Sequence, residues 1–402
     1  MENQKNVPEL RFPEFEGEWE KKKLGEVAEK ITDGTHFSPK SFDHGEFLYI
    51  TSKNVKDGYM ELSNAQYISY EDHTSIYKRC DVKKGDILLT KDGTIGQSCI
   101  NELEIEFSLL SSVAFIRTLS NYSNYFIYQL IVSDIGQKEI ESQIAGQALR
   151  RITLHKINNF EFHFPTLLEQ SKIATFLTAV DEKLQALKKK KSLLEVYKKG
   201  VMQKLFSQEL RFKREDGKEF GDWEEKKLGE VVKIFSGNSP SLYQQKQSAL
   251  NPFIKVEELN NCYKYQLISR NYTNSTKGLI NKNCVIFPKR GAAILNNKVR
   301  INIVPLIMDS NLMALQCSEK IYFEFLYYFI DYEKLYKIAD TSSIPQINNR
   351  HIEPYKINLP IKEEQTRIAN FLSSLDEKIN HTQTEITKTE VWKKGLLQKM
   401  FV

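Results

Sequence analysis

Apolar positions step by four and three along two long stretches of the chain and gather into short runs elsewhere. From Ile173 the steps pass through Leu177, Val180, Leu184, Leu187, Leu194, Val201 and Leu205, with Lys191 and Lys198 filling two slots. The second stretch runs through Ile368, Leu372, Leu375, Ile379, Ile386, Leu396 and Met400, interrupted by Thr382, Thr389 and Lys393. This spacing places one apolar stripe on a helix and is a heptad seam. Neither stretch contains Pro, and each has a single Gly near its end, Gly200 and Gly395. About 40 residues at ~1.5 Å each would make a rod of roughly 60 Å. A rod with one apolar stripe must pack on something. Two in one chain predict an antiparallel pair; the alternative is that each covers the core of its own domain. The regularity of the spacing favours the pair.

The short apolar runs come in matched sets. Tyr49–Val55 parallels Phe253–Leu259, Asp86–Gly93 parallels Cys284–Gly291, and Ser112–Ile116 parallels Asn311–Leu315. Bounded by Gly, Asp and Asn, they read as strands. A helical stretch follows each set, Tyr125–Ile131 and Glu324–Ile330, then a polar loop and a short strand ending at Pro165 or Pro360. Whole phrases recur as well. Trp19-Glu20-Lys21-Lys22-Lys23-Leu24-Gly25-Glu26-Val27 returns as Trp223-Glu224-Glu225-Lys226-Lys227-Leu228-Gly229-Glu230-Val231. Glu169-Gln170-Ser171-Lys172-Ile173-Ala174 returns as Glu364-Gln365-Thr366-Arg367-Ile368-Ala369. The chain is two diverged copies of one unit. Duplication predicts pseudo-two-fold symmetry, and the leading two-fold partner is duplex DNA. Insertions and deletions fall in the loops, as they would in two readers of different targets.

Composition narrows the class. With 402 residues, 41% hydrophobic and 27% charged, the chain suits two soluble domains with cores of their own. A net charge of +5 permits nucleic-acid binding without requiring it. No apolar run approaches membrane-spanning length and the N-terminus lacks a signal-peptide core, which points to the cytoplasm. The five cysteines, Cys80, Cys99, Cys262, Cys284 and Cys317, show no C-x-x-C spacing, which reads as a reduced chain without structural zinc.

The ordered recurrence resembles the specificity subunit of type I restriction-modification systems over essentially the whole chain. It is carried by the Trp-x-x-x-x-Leu-Gly-Glu-Val openings, the strand-turns Leu88–Gly96 and Ile286–Gly291, and the Glu-Gln-x-x-Ile-Ala-x-Phe-Leu passages after Pro165 and Pro360. The endings Lys198–Phe206 and Lys393–Phe401 also fit. The implied fold is α+β: two pseudo-two-fold-related target-recognition domains separated by two long antiparallel coiled-coil helices. The expected division is residues 1–165 and 207–360 for the recognition domains, with spacer helices over 166–206 and 361–402. The resemblance implies a chain without catalysis of its own that reads a split, asymmetric duplex DNA site. It would direct two modification (methyltransferase) subunits and the restriction (translocase/nuclease) subunits. S-adenosylmethionine, ATP and Mg would belong to those partners and not to this chain.

Base reading needs Arg or Lys for guanine and Asn or Gln for adenine, with further cations on phosphates. Three loop regions supply them. The first is Lys91-Asp92-Gly93-Thr94, with Lys289-Arg290-Gly291 and the following Asn297, Lys298 and Arg300 as its counterpart. The second is Gln147, Arg150 and Arg151 against Gln346, Asn348, Asn349 and Arg350. A third is Thr32–His36 against Ser236–Ser239. Any single member could be an ordinary solvated loop residue; the recurrence in both copies is what favours function. The seam residues Leu177, Val180, Leu184, Leu187, Leu194, Leu372, Leu375, Ile379 and Ile386 are the candidates for helix pairing and partner docking. The run Lys188–Lys191 reads as a solvated helix face.

Catalysis has little to stand on. Asn251-Pro252-Phe253 is a fragment of the Asn-Pro-Pro-aromatic motif of adenine methyltransferases, lacking its second Pro, and no phosphate-binding G-x-x-x-x-G-K-[ST] is present. The competing non-enzyme reading is a coiled-coil adaptor that binds proteins and does not read DNA sequence.

Overall fold

A computed structural model describes residues 6–144, 150–340 and 344–402. It divides into two compact units, Met1–Lys189 with Thr382–Val402, and Lys190–His381. Each unit thus holds part of each rod. The rods are single helices, Leu167–Phe206 and Lys362–Lys399. No described helix is long and apolar enough to cross a membrane.

The first unit is built on an antiparallel sheet ordered Ala28–Asp33, Val113–Thr118, Ile87–Thr90, Ser98–Ile100. Its central strands carry unbroken apolar runs, Ile87–Leu89 and Val113–Ile116, because both faces are covered there. Ile87, Leu89, Ala114 and Ile116 face helix Asn124–Val132 and the rods, whereas Leu88, Val113 and Phe115 face a second sheet around Phe47–Ile50. The second unit repeats this plan. Val232–Ser236, Leu312–Cys317, Cys284–Pro288 and Arg300–Asn302 lie in the same order, with Tyr265–Gln266 added at the edge. Val285, Phe287, Met313 and Leu315 face helix Phe323–Glu333 and the rods; Cys284, Ile286, Leu312 and Ala314 face away. Register is matched too: Ala114 opposes Asp33 as Met313 opposes Ser236.

The repeated phrases are the joints between domain and rod. Buried Glu169 accepts two hydrogen bonds from Arg11 (2.8 and 2.7 Å) and one from the Trp19 indole (3.3 Å). Glu364 accepts the same set from Arg211 (3.1 and 2.8 Å) and Trp223 (3.1 Å). Gln170 and Gln365 each donate to the carbonyl of the Pro two residues before their helix, Pro165 or Pro360, and accept a backbone N–H from the domain, Ser123 or Tyr322. The opening strands close against the last: Glu20–Lys23 pairs with Glu161–Phe164, and Glu224–Lys227 with Lys356–Leu359.

The seam is where the spacing places it. Leu177, Val180, Leu372, Leu375, Ile379 and Ile386 are buried; Leu184, Leu187 and Leu194 are partly so. The two sequence alternatives for the rods turn out to be one arrangement. In the first unit Leu177 and Val180 share a core with Leu396 of the second rod, Met400 just past its end, and Phe126 of the domain. In the second, Leu372 and Leu375 share one with Val201, Leu205 and Phe325. One strand is shorter than expected: the run Tyr49–Val55 stops at Ile50, because the Asn54 side chain accepts the Thr51 N–H (3.0 Å) and turns the chain. Its counterpart ends at Ile254 and continues as a 3₁₀ turn, Val256–Asn260.

Candidate nucleic-acid interface

The first two loop clusters, far apart in sequence, meet in each unit. In the first, Asp92 bridges to Arg151 as an antiparallel pair and the Ile152 N–H donates to the Lys91 carbonyl (3.0 Å). In the second, Arg290 bridges to Gln346 and the Ile347 N–H donates to the Lys289 carbonyl (3.0 Å). The neighbouring turn closes over a glycine in the left-handed region, Gly93 at φ +75° and Gly291 at φ +74°, which a side chain would strain. We call this recurring construction the clasp. The third cluster adjoins it but serves packing: a Cβ on Gly34 or Gly237 would overlap the Leu109 or Asp309 carbonyl.

The two clasps share a backbone and differ in chemistry. In the first, the Lys91 ammonium, 3% exposed, pairs with Asp33 at 2.9 Å. Asp33 also receives Arg79 at 3.2 Å and lies 3.3 Å from His36. Burial pushes the Asp33 carboxyl up, but Lys91 and Arg79 outweigh it and hold it below the ordinary value. Asp92 pairs with Arg151 at 3.1 Å. In the second clasp Ser236 stands where Asp33 stands in the first, and Arg290 where Asp92 does. Among the described residues neither Lys289 nor Arg290 makes an ion pair. Burial, then the charge of Arg290, pulls the half-buried Lys289 ammonium below its usual range, with Asp309 opposing. An incoming anion would relieve that repulsion.

The remaining candidates sort by what they touch. Thr94, Arg150 and Arg290 are exposed beside the clasp, and Arg151 is half exposed. Gln147 lies outside the described residues. Gln346 is fixed from both sides, its N–H donating to the Asp340 carboxylate at 3.1 Å and its carbonyl accepting from the Asp340 N–H at 3.0 Å. Asn348 caps the one-turn helix Asn349–Ile352, in which Asn349 and Arg350 are exposed; Arg350 Nε donates to His351 (3.1 Å). The cap aligns Asn348 with Thr153, so the position matching Arg151 is Gln346, and Arg150 and Arg350 are not equivalents.

Four members depart from the expected role. Lys91 is sealed in its ion pair and presents no charge at the surface. Asn297, at φ +47°, bonds Asp331 (2.9 Å) and accepts the Leu335 N–H (2.8 Å). Arg300 donates to the Leu259 and Val299 carbonyls (3.0 and 2.6 Å), and Lys298 to the Asn260 side chain. These polar atoms are spent on the scaffold. Sequence reasoning overlooked Asp340; Asp33 falls in the third candidate region, but its pairing with Lys91 is revealed only by the folded register.

A family model, the type I restriction modification DNA specificity domain, matches residues 16–196 and again 221–390. The chain belongs to this family. The putative type I restriction enzyme MjaX specificity subunit of Methanocaldococcus jannaschii is 25% identical, covering 98% of this chain and 95% of its own. The MjaIX specificity subunit of the same organism is 27% identical, over 95% of this chain and 92% of the relative. Among solved structures, the type I restriction-modification S subunit from M. genitalium aligns at a TM-score of 0.64 with 17% identity, covering 98% of this chain and 99% of that one. A structure concerned with complex assembly of the type I system aligns at 0.56 with 16% identity, over 95% of this chain and 97% of the other. Both share the fold. The two family segments fall on the two copies of the repeat, so each clasp belongs to one specificity domain.

Proposed function

We propose that this family member reads a split, asymmetric site on duplex DNA, one half-site through each clasp. It would direct adenine methylation or restriction by partner subunits in a cytoplasmic complex. The observation that carries this reading is the clasp itself, one backbone construction made twice and given different side chains at its tip. Base reading asks for a fixed frame that delivers variable donors and acceptors to a groove edge. In this reading the chain performs no chemistry. S-adenosylmethionine, ATP and Mg would be held by two methyltransferase subunits and by the translocase/nuclease subunits.

Methylome sequencing of cells carrying or lacking the gene tests it. The expected result is a methylated motif with two unlike halves that vanishes with the gene. Retention of the complex on duplex DNA should also fall steeply with salt. An unchanged methylome, with retention indifferent to salt and sequence, would overturn the reading in favour of a protein-binding adaptor.

A further inference from the structure

Three lysines occupy seam slots that the heptad pattern reserves for apolar residues; Lys191 pairs within its own rod, with Glu195 at 3.5 Å, whereas Lys198 and Lys393 each find an aspartate of the other rod. In the second unit Lys198 meets Asp376 at 2.6 Å, the side chains 10% and 4% exposed. In the first unit Lys393 meets Asp181 at 2.6 Å. The pairs are reciprocal, because Lys198 and Lys393 hold matching places in the two copies, as do Asp181 and Asp376. Each aspartate also takes a hydrogen bond from its own domain's helix. Gln129 donates to Asp181 at 2.7 Å, and Tyr328 donates to Asp376 at 2.6 Å, with Tyr263 adding a third donor at 3.0 Å. Two rods and one domain therefore converge on a single carboxylate in each unit.

We propose that Asp181 and Asp376 are positioning residues that fix the register of the rods and the seat of each domain on them, and so set the gap between the half-sites; only this last clause rests on the DNA-reading conclusion. An apolar seam alone tolerates slippage by a heptad, and a polar pair within it is the device that specifies register. Slippage here is heavily penalised at both pins. Seven residues either side of Asp376 stand Ala369 and Gln383; seven either side of Asp181 stand Ala174 and Lys188. No slipped register offers either lysine a carboxylate at these places. The pins are also equally spaced along the rods, seventeen residues in each (198 − 181 and 393 − 376). Antiparallel helices can therefore make both together.

The test separates register from stability. Replacing both pairs by methionine (Lys198→Met, Asp376→Met, Lys393→Met, Asp181→Met) keeps the seam apolar and filled. Nitroxides at Gln185→Cys and Lys394→Cys, both exposed in the first unit, report register by electron–electron resonance, with Cys262 and Cys317 replaced by serine. The native pins should give one distance. The four-methionine chain should stay folded and give a second population, displaced by up to ~10 Å for a seven-residue slip. Restoring the Lys198–Asp376 pair alone should return the single distance. A folded four-methionine chain with the native distance overturns the proposal.

Should that chain fail to fold, Asp181→Lys with Asp376→Lys replaces it. There, Lys393→Asp and Lys198→Asp should recover the native distance, and failure to recover it counts against the pins. In the complex with modification subunits, duplexes whose gap differs by a few base pairs from the native site should bind at least 10-fold more weakly. Loss of both pins should flatten that preference below about 3-fold while the bases read stay the same. A wild-type complex with no preferred duplex would overturn the DNA-reading conclusion and leave the resonance result to judge the pins.

Discussion

One carboxylate decides what each clasp lysine is for. Lys91 and Lys289 stand at matching backbone positions, but Asp33 faces the first and Ser236 takes its place in the second. Asp33→Asn would strand a sealed ammonium, and the loss should be about 3–5 kcal/mol in a denaturant titration at neutral pH. The pH dependence follows from the direction of the shift. Because the folded pKa of Asp33 is depressed, its contribution is complete above the ordinary aspartate value of about 4. It is lost as pH falls through the folded value, so wild type and variant should converge in acid. A difference that persisted unchanged to low pH would remove the ion pair from the explanation. The same contrast predicts binding. Arg290→Ala should cost about 1–3 kcal/mol and relax one position of one half-site. Lys289→Ala should weaken all sequences alike and lower the salt slope by about one. Lys91→Ala should change neither preference nor slope and should only destabilise; gel shifts over a salt series distinguish the three.

The elements were legible in proportion to how local their causes are. The rods announce themselves because a four-three apolar step needs nothing but the helix period, and both are continuous helices. The central strands were visible as unbroken apolar runs, since both of their faces are covered. The overshoot at Tyr49–Val55 came from Asn54, whose side chain competes with the ladder for a backbone N–H. What periodicity does not carry is partnership between distant polar residues. Nothing near Lys91 in sequence points to Asp33, and nothing near Asn297 points to Asp331. The seam lysines belong with these: in the sequence they only interrupt the apolar stripe, and the fold gives Lys198 and Lys393 each an aspartate of the other rod. Glycine within a rod is the remaining oddity. A Cβ at Gly200 or Gly395 would meet no atom within 4 Å. Gly200→Ala should therefore raise stability by about 0.8–1 kcal/mol, seen as a higher melting temperature. If the alanine chain melts higher but assembles poorly with modification subunits, the glycine serves the close approach of a partner.

At the scale of the molecule, duplication was the most legible feature, and the structure gives it a mechanical sense. Each compact unit combines one domain with the beginning of one rod and the end of the other, so neither copy of the repeat is a compact unit by itself. Changes to one rod are therefore changes to both units. Deleting seven residues of the first rod between Asp181 and Lys198 leaves ten between the pins there and seventeen on the second rod. One ion pair must then break, and such a chain should lose stability and gap preference together. Deleting seven residues from both rods, the second between Asp376 and Lys393, restores equal spacing. Both pins can re-form, with each rod shorter by about 10.5 Å. At ~3.4 Å per base pair that is about three base pairs. Methylome sequencing of the doubly shortened chain should show the same two half-motifs with a gap smaller by about three. An unchanged gap, or new half-motifs, would mean that the rods do not set the distance between the places where the two domains read.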